Sequence, residues 1–216
     1  MKALLKSLFF ILLFVQICFA QWVQTNFPSN TNVFCLAARE SYLYAGTSNE
    51  GIYLSTDNGD SWNSVSSSLF CDLRAITFSG QNIIAASSGG RCGEIDLSTD
   101  NGISWSEVFG GRTLSLVSSD NKVFAGTGGV WFSSDYGMTW DSVNNGLQNS
   151  YIRALTVSGS NVFAGSDGNG VFLTTNNGMS WTAANNGLSN LFVNAFAVSN
   201  NNIFAGTSDG IFLTTD

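Results

Sequence analysis

From about residue 32 to the end of the chain, apolar and polar residues trade places in short runs of four to seven, each bounded by Gly, Asn, Asp or Ser. Tyr151-Ile152-Arg153-Ala154-Leu155-Thr156-Val157 is one such run, followed by Asn161 to Gly165, Gly170 to Thr174 and Ser180 to Ala183. Runs of this length with glycine turns between them predict β-strands. Four of them recur as a group, here labelled a to d. The b runs align closely, at Tyr42 to Thr47, Asn82 to Ser87, Lys122 to Thr127, Asn161 to Ser166 and Asn202 to Thr207, and most end on Ala-Gly-Thr/Ser. Small residues at one level of every group predict close approach of neighbouring sheets there.

Between runs c and d stands one recurrent device. It reads Ser55 to Trp62, Ser98 to Trp105, Ser133 to Trp140 and Thr174 to Trp181, and it starts again at Thr214-Thr215-Asp216. Its tryptophans fall 43, 35 and 41 residues apart, a period that marks a repeat architecture. The central pair is Asn-Gly or Tyr-Gly, and Gly59, Gly102, Gly137 and Gly178 supply the positive φ of a two-residue hairpin turn. Asp57, Asp100 and Asp135 are placed to accept hydrogen bonds from backbone N–H groups further along the turn; Asn176 stands in their place in the fourth copy and serves the same bonds. Trp62, Trp105, Trp140 and Trp181 open run d, each offering a large apolar face to a neighbouring repeat and an indole N–H to a carbonyl.

This S-x-D-x-G-x-[ST]-W pattern resembles the Asp-box (BNR) repeat of sialidase-like β-propellers, and the resemblance runs through most of residues 22 to 216. That superfamily includes sialidases, xyloglucan-hydrolysing enzymes, sortilin-type receptors and photosystem II assembly-factor propellers. The resemblance implies an all-β propeller of four-stranded antiparallel blades, with the boxes as peripheral turns. Blades are expected at about 32–66, 72–109, 112–145, 151–186 and 192–216. Residues 21–26, Gln21-Trp22-Val23-Gln24-Thr25-Asn26, look like a d strand and would complete the last blade, closing a five-bladed ring. Alternatively, the repeats are part of a larger propeller.

The first twenty residues change the picture of compartment. Lys2 and Lys6 precede an apolar run from Leu8 to Val15, then Cys18-Phe19-Ala20, the layout of a secretory signal peptide cleaved after Ala20. The run is too short for a membrane helix. A secreted, periplasmic or cell-surface protein is expected, with no membrane span after cleavage. Without that leader six basic residues face fifteen acidic ones, which disfavours nucleic acid as a partner. Three cysteines remain. Cys71 and Cys92 could bridge, leaving Cys35 as a buried thiol.

Candidate chemistry is sparse. The chain has no His, so no His-based triad, and the Arg-Ile-Pro segment of sialidases is absent. Glu50, Glu94, Asp167 and Asp209 sit in b-to-c loops, where they read as solvated turn residues before they read as paired catalytic acids. Ser166 to Gly170 and Asp57 to Asp60 lack the full ligand set of a calcium loop, so no metal and no cofactor is expected. The least random charged feature is a column: aligning run a puts Phe34, Arg74, Arg112, Arg153 and Asn194 at one level, on the face where sialidase-like families hold ligands. The arginines form either an anion-binding cluster at the channel mouth or copies of one structural residue. The sequence thus points to a non-catalytic binding or scaffold module for a protein or glycan partner; the alternative is part of a glycoside hydrolase propeller, sialidase-like or xyloglucan-degrading, with catalytic residues outside this sequence.

Overall fold

A computed structural model describes residues 22–66, 72–89, 93–148 and 151–215. Among them the chain forms only strands and turns, in five antiparallel sheets. The first sheet takes β1 (Val33–Arg39), β2 (Tyr42–Thr47), β3 (Ile52–Ser55) and β4 (Asn63–Ser66) in sequence order. The second repeats this with β5 (Leu73–Ser79), β6 (Asn82–Ser87), β7 (Glu94–Ser98) and β8 (Ser106–Gly110), and the third with β9 (Ser115–Ser119), β10 (Lys122–Gly126), β11 (Val130–Ser133) and β12 (Asp141–Ser142). The fourth holds β13 (Ile152–Ser158), β14 (Asn161–Ser166), β15 (Val171–Thr174) and β16 (Thr182–Ala183). The fifth has three strands, β17 (Val193–Ser199), β18 (Asn202–Thr207) and β19 (Gly210–Thr214). Each sheet is one blade, and the a strands pack side by side as β1 on β5, β5 on β9, β9 on β13 and β13 on β17.

The core lies between blades. Tyr44, Ile52 and Leu73 join Ile83 and Ala85 between the first two, and Phe124, Val130, Ile152 and Phe172 fill the space between the third and fourth. The b strands are buried through their second halves, and there the small residues set the spacing. A Cβ on Gly126 would stand 2.8 Å from the Ile152 carbonyl oxygen, and one on Gly165 would stand 2.6 Å from Val193 Cγ1. These contacts are closer than real Cβ atoms make, so glycine fixes the approach of the next blade.

The c-to-d hairpins close by their own side chains. In the second box the Ser98 hydroxyl donates to Asp100 Oδ1 at 2.8 Å and accepts the Gly102 N–H at 2.8 Å. Asp100 Oδ1 accepts the Ser104 N–H at 2.8 Å, its Oδ2 takes the Ser104 hydroxyl at 2.6 Å, and the Trp105 indole donates to Gly102 O at 3.0 Å. Asn101 and Gly102 both have positive φ, 60° and 91°, as a mirror-image turn requires. The first and third boxes match this bond for bond. The fourth keeps the frame with Asn176, whose Oδ1 takes the Ser180 N–H at 3.0 Å while its Nδ2 donates to the Ser180 hydroxyl at 2.9 Å. Trp181 departs from the others: it is 4% exposed and its indole donates across the blade boundary to Val143 O at 2.7 Å.

The expected completion of the fifth blade by residues 21–26 is not what the structure shows. Residues 22–26 form no strand, and Trp22 is 98% exposed. The segment lies instead on blade 1, where Asn26 Nδ2 donates to Asp60 O at 3.0 Å and the Phe27 ring meets Tyr53 and Trp62 at 5.0 and 5.1 Å. The outer sides of blades 1 and 5 are open, with Leu36 71% and Ile211 76% exposed. The physical reason is placement: the segment is held by aromatic contacts to the blade that follows it in sequence, and blade 5 stands at the other end of the row.

Candidate functional site

The a strands deliver their first residues to one end of the row, opposite the Asp-box turns. There β1, β5, β13 and β17 each carry an irregularity at their second residue: Phe34, Arg74, Arg153 and Asn194 fall where the pairing register shifts. A bulge of this kind leaves one residue outside the ladder and re-aims its side chain. Each polar member then reaches the residue that follows strand b of its own blade. Arg74 Nε donates to Ser88 at 2.9 Å, Arg153 Nη2 meets Asp167 at 2.8 Å, and Asn194 Nδ2 donates to Ser208 at 3.3 Å.

The third blade breaks the column, and here the expected alignment needs correction. Gly126 pairs with Ser115 as Gly165 pairs with Ala154, so Leu114, not Arg112, is the counterpart of Arg153. Arg112 lies two residues earlier, outside β9. Even so, Arg74, Arg112, Arg153 and Asn194, with Ser88 and Leu114, line a single hollow of about 380 Å³. The structure brings together all four residues expected of a site, one of them by a different route.

Their charges are not equivalent. Arg74 is paired with Asp72 at 2.9 Å and its guanidinium lies 4.2 Å from the centre of the Phe34 ring; Asp72 also accepts the Ser48 hydroxyl of blade 1 at 2.8 Å. Arg153 is paired with Asp167 at 2.8 Å, and that bond raises its already high pKa. These partners sit in the same blade as their arginines, and Asp72 also reaches across to blade 1. Arg112 is exposed and has no ion-pair partner among the described residues. The hollow therefore carries one uncompensated cation flanked by two partly neutralised ones. Chemically it suits a single carboxylate or similar oxyanion, held by charge-assisted hydrogen bonds from Arg112 and the outward N–H groups of its neighbours.

The other expected positions are structural or lie elsewhere. Glu50 accepts from Thr31 and from the Tyr53 hydroxyl, at 3.0 and 3.1 Å. Asp57, Gly59, Trp62, Asp100, Gly102, Trp105, Asp135, Gly137, Trp140, Asn176, Gly178 and Trp181 are all at the Asp-box end, away from the hollow. Cys71 and Cys92 lie outside the described residues. Cys35 is a free thiol donating to Leu73 O at 3.5 Å, and burial pushes its pKa up to about 11.

One feature went unseen in the sequence. Asp96, two residues before Ser98, is 5% exposed, and its Oδ2 has no hydrogen-bond partner. The same strand position holds Tyr53, Trp131, Phe172 and Phe212 in the other blades. Burial, with Glu94 and Glu107 adding to it, raises the Asp96 pKa to about 7. Aligning the c strands on the serine or threonine of each box would have exposed this departure.

Comparison with known proteins agrees with the fold. The BNR/Asp-box repeat family model matches residues 97–107, the second turn and its flanks. The chain has the fold of a β-propeller, and one of its turns matches the Asp-box repeat. No curated protein matches it by sequence. Among solved structures the propeller is similar to an ancestral GH74 enzyme, at 21% identity and a TM-score of 0.69 over 84% of this chain and 30% of that one. It is similar to YCF48 from Cyanidioschyzon merolae, at 15% identity and a TM-score of 0.65 over 90% of this chain and 70% of that one. PorZ, a surface component of the type-IX secretion system of Porphyromonas gingivalis, matches at 13% identity and a TM-score of 0.67 over 92% of this chain and 34% of that one. At these identities the likeness is one of fold, and this propeller spans about a third of the GH74 and PorZ chains. Among the described residues no helix is long and apolar enough to cross a membrane.

Proposed function

We propose that this is an exported, non-catalytic propeller that holds an acidic segment of a protein partner at the hollow formed by Arg74, Arg112, Arg153 and Asn194. The observation that carries this reading is Arg112: an exposed guanidinium without an acidic partner among the described residues, in a hollow shared with two further arginines, on a chain whose acids outnumber its bases. A structural arginine is expected to be satisfied by its surroundings, as Arg74 and Arg153 are; a recognition arginine is left available. Support comes from the fold neighbours, since YCF48 has also been solved bound to D1 peptide.

The test is binding of acidic peptides to purified protein, selected from an array and then titrated by fluorescence anisotropy. Arg112→Ala should weaken a selected peptide by about tenfold or more, the loss of a charge-assisted hydrogen bond. Added salt should weaken wild-type binding. The melting temperature should stay near that of the wild type, because the residue is exposed and unpaired. A variant that melts much lower while binding unchanged would show Arg112 to be structural and the hollow to be no acid site.

A further inference from the structure

At the Asp-box end of the row, opposite the arginine hollow, a cavity of about 170 Å³ opens between blades 3 and 4. Ser119 and Lys122 line it from blade 3, Gly159 and Ser160 from the a-to-b turn of blade 4, and Thr175 and Asn177 from the fourth box. Beneath them lie Phe124, Val157 and Val162. Blades 3 and 4 each have a blade packed on either side, so the cavity belongs to an inner boundary.

The two boundaries before it are closed at this level by one kind of bond. Strand a of the first three blades ends on Arg39, Ser79 and Ser119, paired with Tyr42, Asn82 and Lys122 in turn. At the first boundary Arg39 Nη1 donates to Gly80 O and Gln81 O of the next blade, at 3.4 and 3.1 Å, and its Nη2 to Asn101 Oδ1 of that blade's box at 2.9 Å. Its guanidinium lies 5.0 Å from the centre of the Phe78 ring. At the second boundary the Ser79 hydroxyl donates to Asp120 O at 2.6 Å, and Asn82 Nδ2 to Tyr136 O of the box at 3.0 Å. Gly80 and Asp120 each follow the last residue of strand a, so the same turn carbonyl receives the bond both times.

At the third boundary that position is Gly159, whose φ of 59° matches the 57° of Gly80 and the 55° of Asp120, so its carbonyl is presented alike. Here the link is Lys122 Nζ to Asn177 Oδ1, at 3.0 Å. Among the described residues no hydrogen bond joins Ser119 to the Gly159 turn, and the hydroxyls of Ser119, Ser160 and Thr175 have no partner. Ser119 stands where the first boundary has Arg39, and Val157 where it has Phe78, and these smaller side chains leave the space open. The lining restricts what fits. The Lys122 ammonium repels a second cation, so nothing like the Arg39 guanidinium enters. An oxyanion suits Lys122 but brings no donor to Gly159 O. A set of neighbouring hydroxyls meets both demands, because each accepts and donates, and a ring that carries them has C–H surface for Val157. The volume is many times what one water needs and less than a drug-sized ligand fills, which corresponds to one sugar ring.

We infer that the cavity between blades 3 and 4 is a binding site for one sugar ring of a glycan, whose hydroxyls accept from Lys122 and donate to Gly159 O while its C–H face covers Val157. The ring takes over the bond that Arg39 and Ser79 make at the earlier boundaries, and so ties the two blades together. The site stands apart from the arginine hollow at the other end of the row, and neither reading depends on the other.

The experiment is NMR of the isotope-labelled protein, titrated separately with glucose, galactose, mannose and xylose, and with acetate and methylguanidinium as anionic and cationic probes. At least one sugar should give saturable shifts centred on Ser119, Lys122, Gly159, Ser160 and Asn177, and should bind more tightly than either ion. Ser119→Arg supplies the side chain that closes the first boundary, and Lys122→Met removes the ammonium while keeping an apolar stem. Each should weaken sugar binding by about tenfold or more. Melting temperatures identify a variant whose fold is disturbed, and the other variant then carries the comparison. No saturable shift with any of the four sugars, shifts centred elsewhere, or tighter binding of acetate or methylguanidinium than of every sugar overturns the inference. So does undiminished sugar binding in either variant that melts like the wild type.

Discussion

Asn176 shows what the aspartates of the other boxes do. It holds the same backbone N–H and the same hydroxyl without a charge, so the turn depends on hydrogen bonding and not on the carboxylate as an ion. In Asp57 and Asp100 the bonds from Ser61 and Ser104 favour the ionised form and hold each pKa down to about 2. A carboxyl whose pKa is lowered by folding contributes stability above its unfolded value, near 4, and that contribution is lost as pH falls toward 2. Asp100→Asn should therefore leave the melting temperature at pH 7 close to wild type and soften the loss of stability between pH 4 and pH 2. Thermal melts across that range check it, and a large drop at pH 7 would mean that the charge itself is needed. Asp96 has the opposite sign. Its pKa is raised by burial to about 7, so the unfolded chain gives up the proton first and stability falls as pH rises from about 4 to 7. Asp96→Asn removes that dependence: equal to wild type near pH 4 and more stable than wild type at pH 8, as urea unfolding at the two pH values would measure. Equal stability at both would show the carboxylate to be solvated.

At the scale of elements, legibility in the sequence follows the range of the interactions. The Asp-box hairpins could be read because every bond that closes them spans two to four residues, and the b strands because their Ala-Gly ends repeat without insertions. The irregularity that aims Arg74, Arg153 and Asn194 into the hollow could not, since a bulge is a property of two strands and shows only once Ala75 is set against Ala86 or Ala154 against Gly165. The same limit explains Arg112. Matching arginine to arginine placed it in the column, while pairing of Ser115 with Gly126 gives that place to Leu114. The side chain reaches the hollow nonetheless, because an arginine two residues before Leu114 is long enough to return to it. Its isolation from acids was not legible either: Asp72 and Asp167 become partners through the loops they occupy, and blade 3 has Gly128 where blade 4 has Asp167.

For the whole molecule, the row of blades makes stability uneven in a way that can be measured. Among the described residues each inner blade is covered on both sides, whereas blade 5 is covered only by blade 4. The b strands show the difference in the same sequence setting: β14 is buried along nearly its whole length, while β18, with the same Phe-Ala-Gly core, is half-buried. In a repeat array whose units rest on their neighbours, the unit with one interface opens first. Amide hydrogen exchange on dilute protein should therefore find the β17 to β19 amides exchanging faster than those of β13 to β15, with β19, which pairs with no outer strand among the described residues, the fastest. Exchange in blade 5 as slow as in blade 4 at the lowest concentration would mean that its open side is already covered within a single chain.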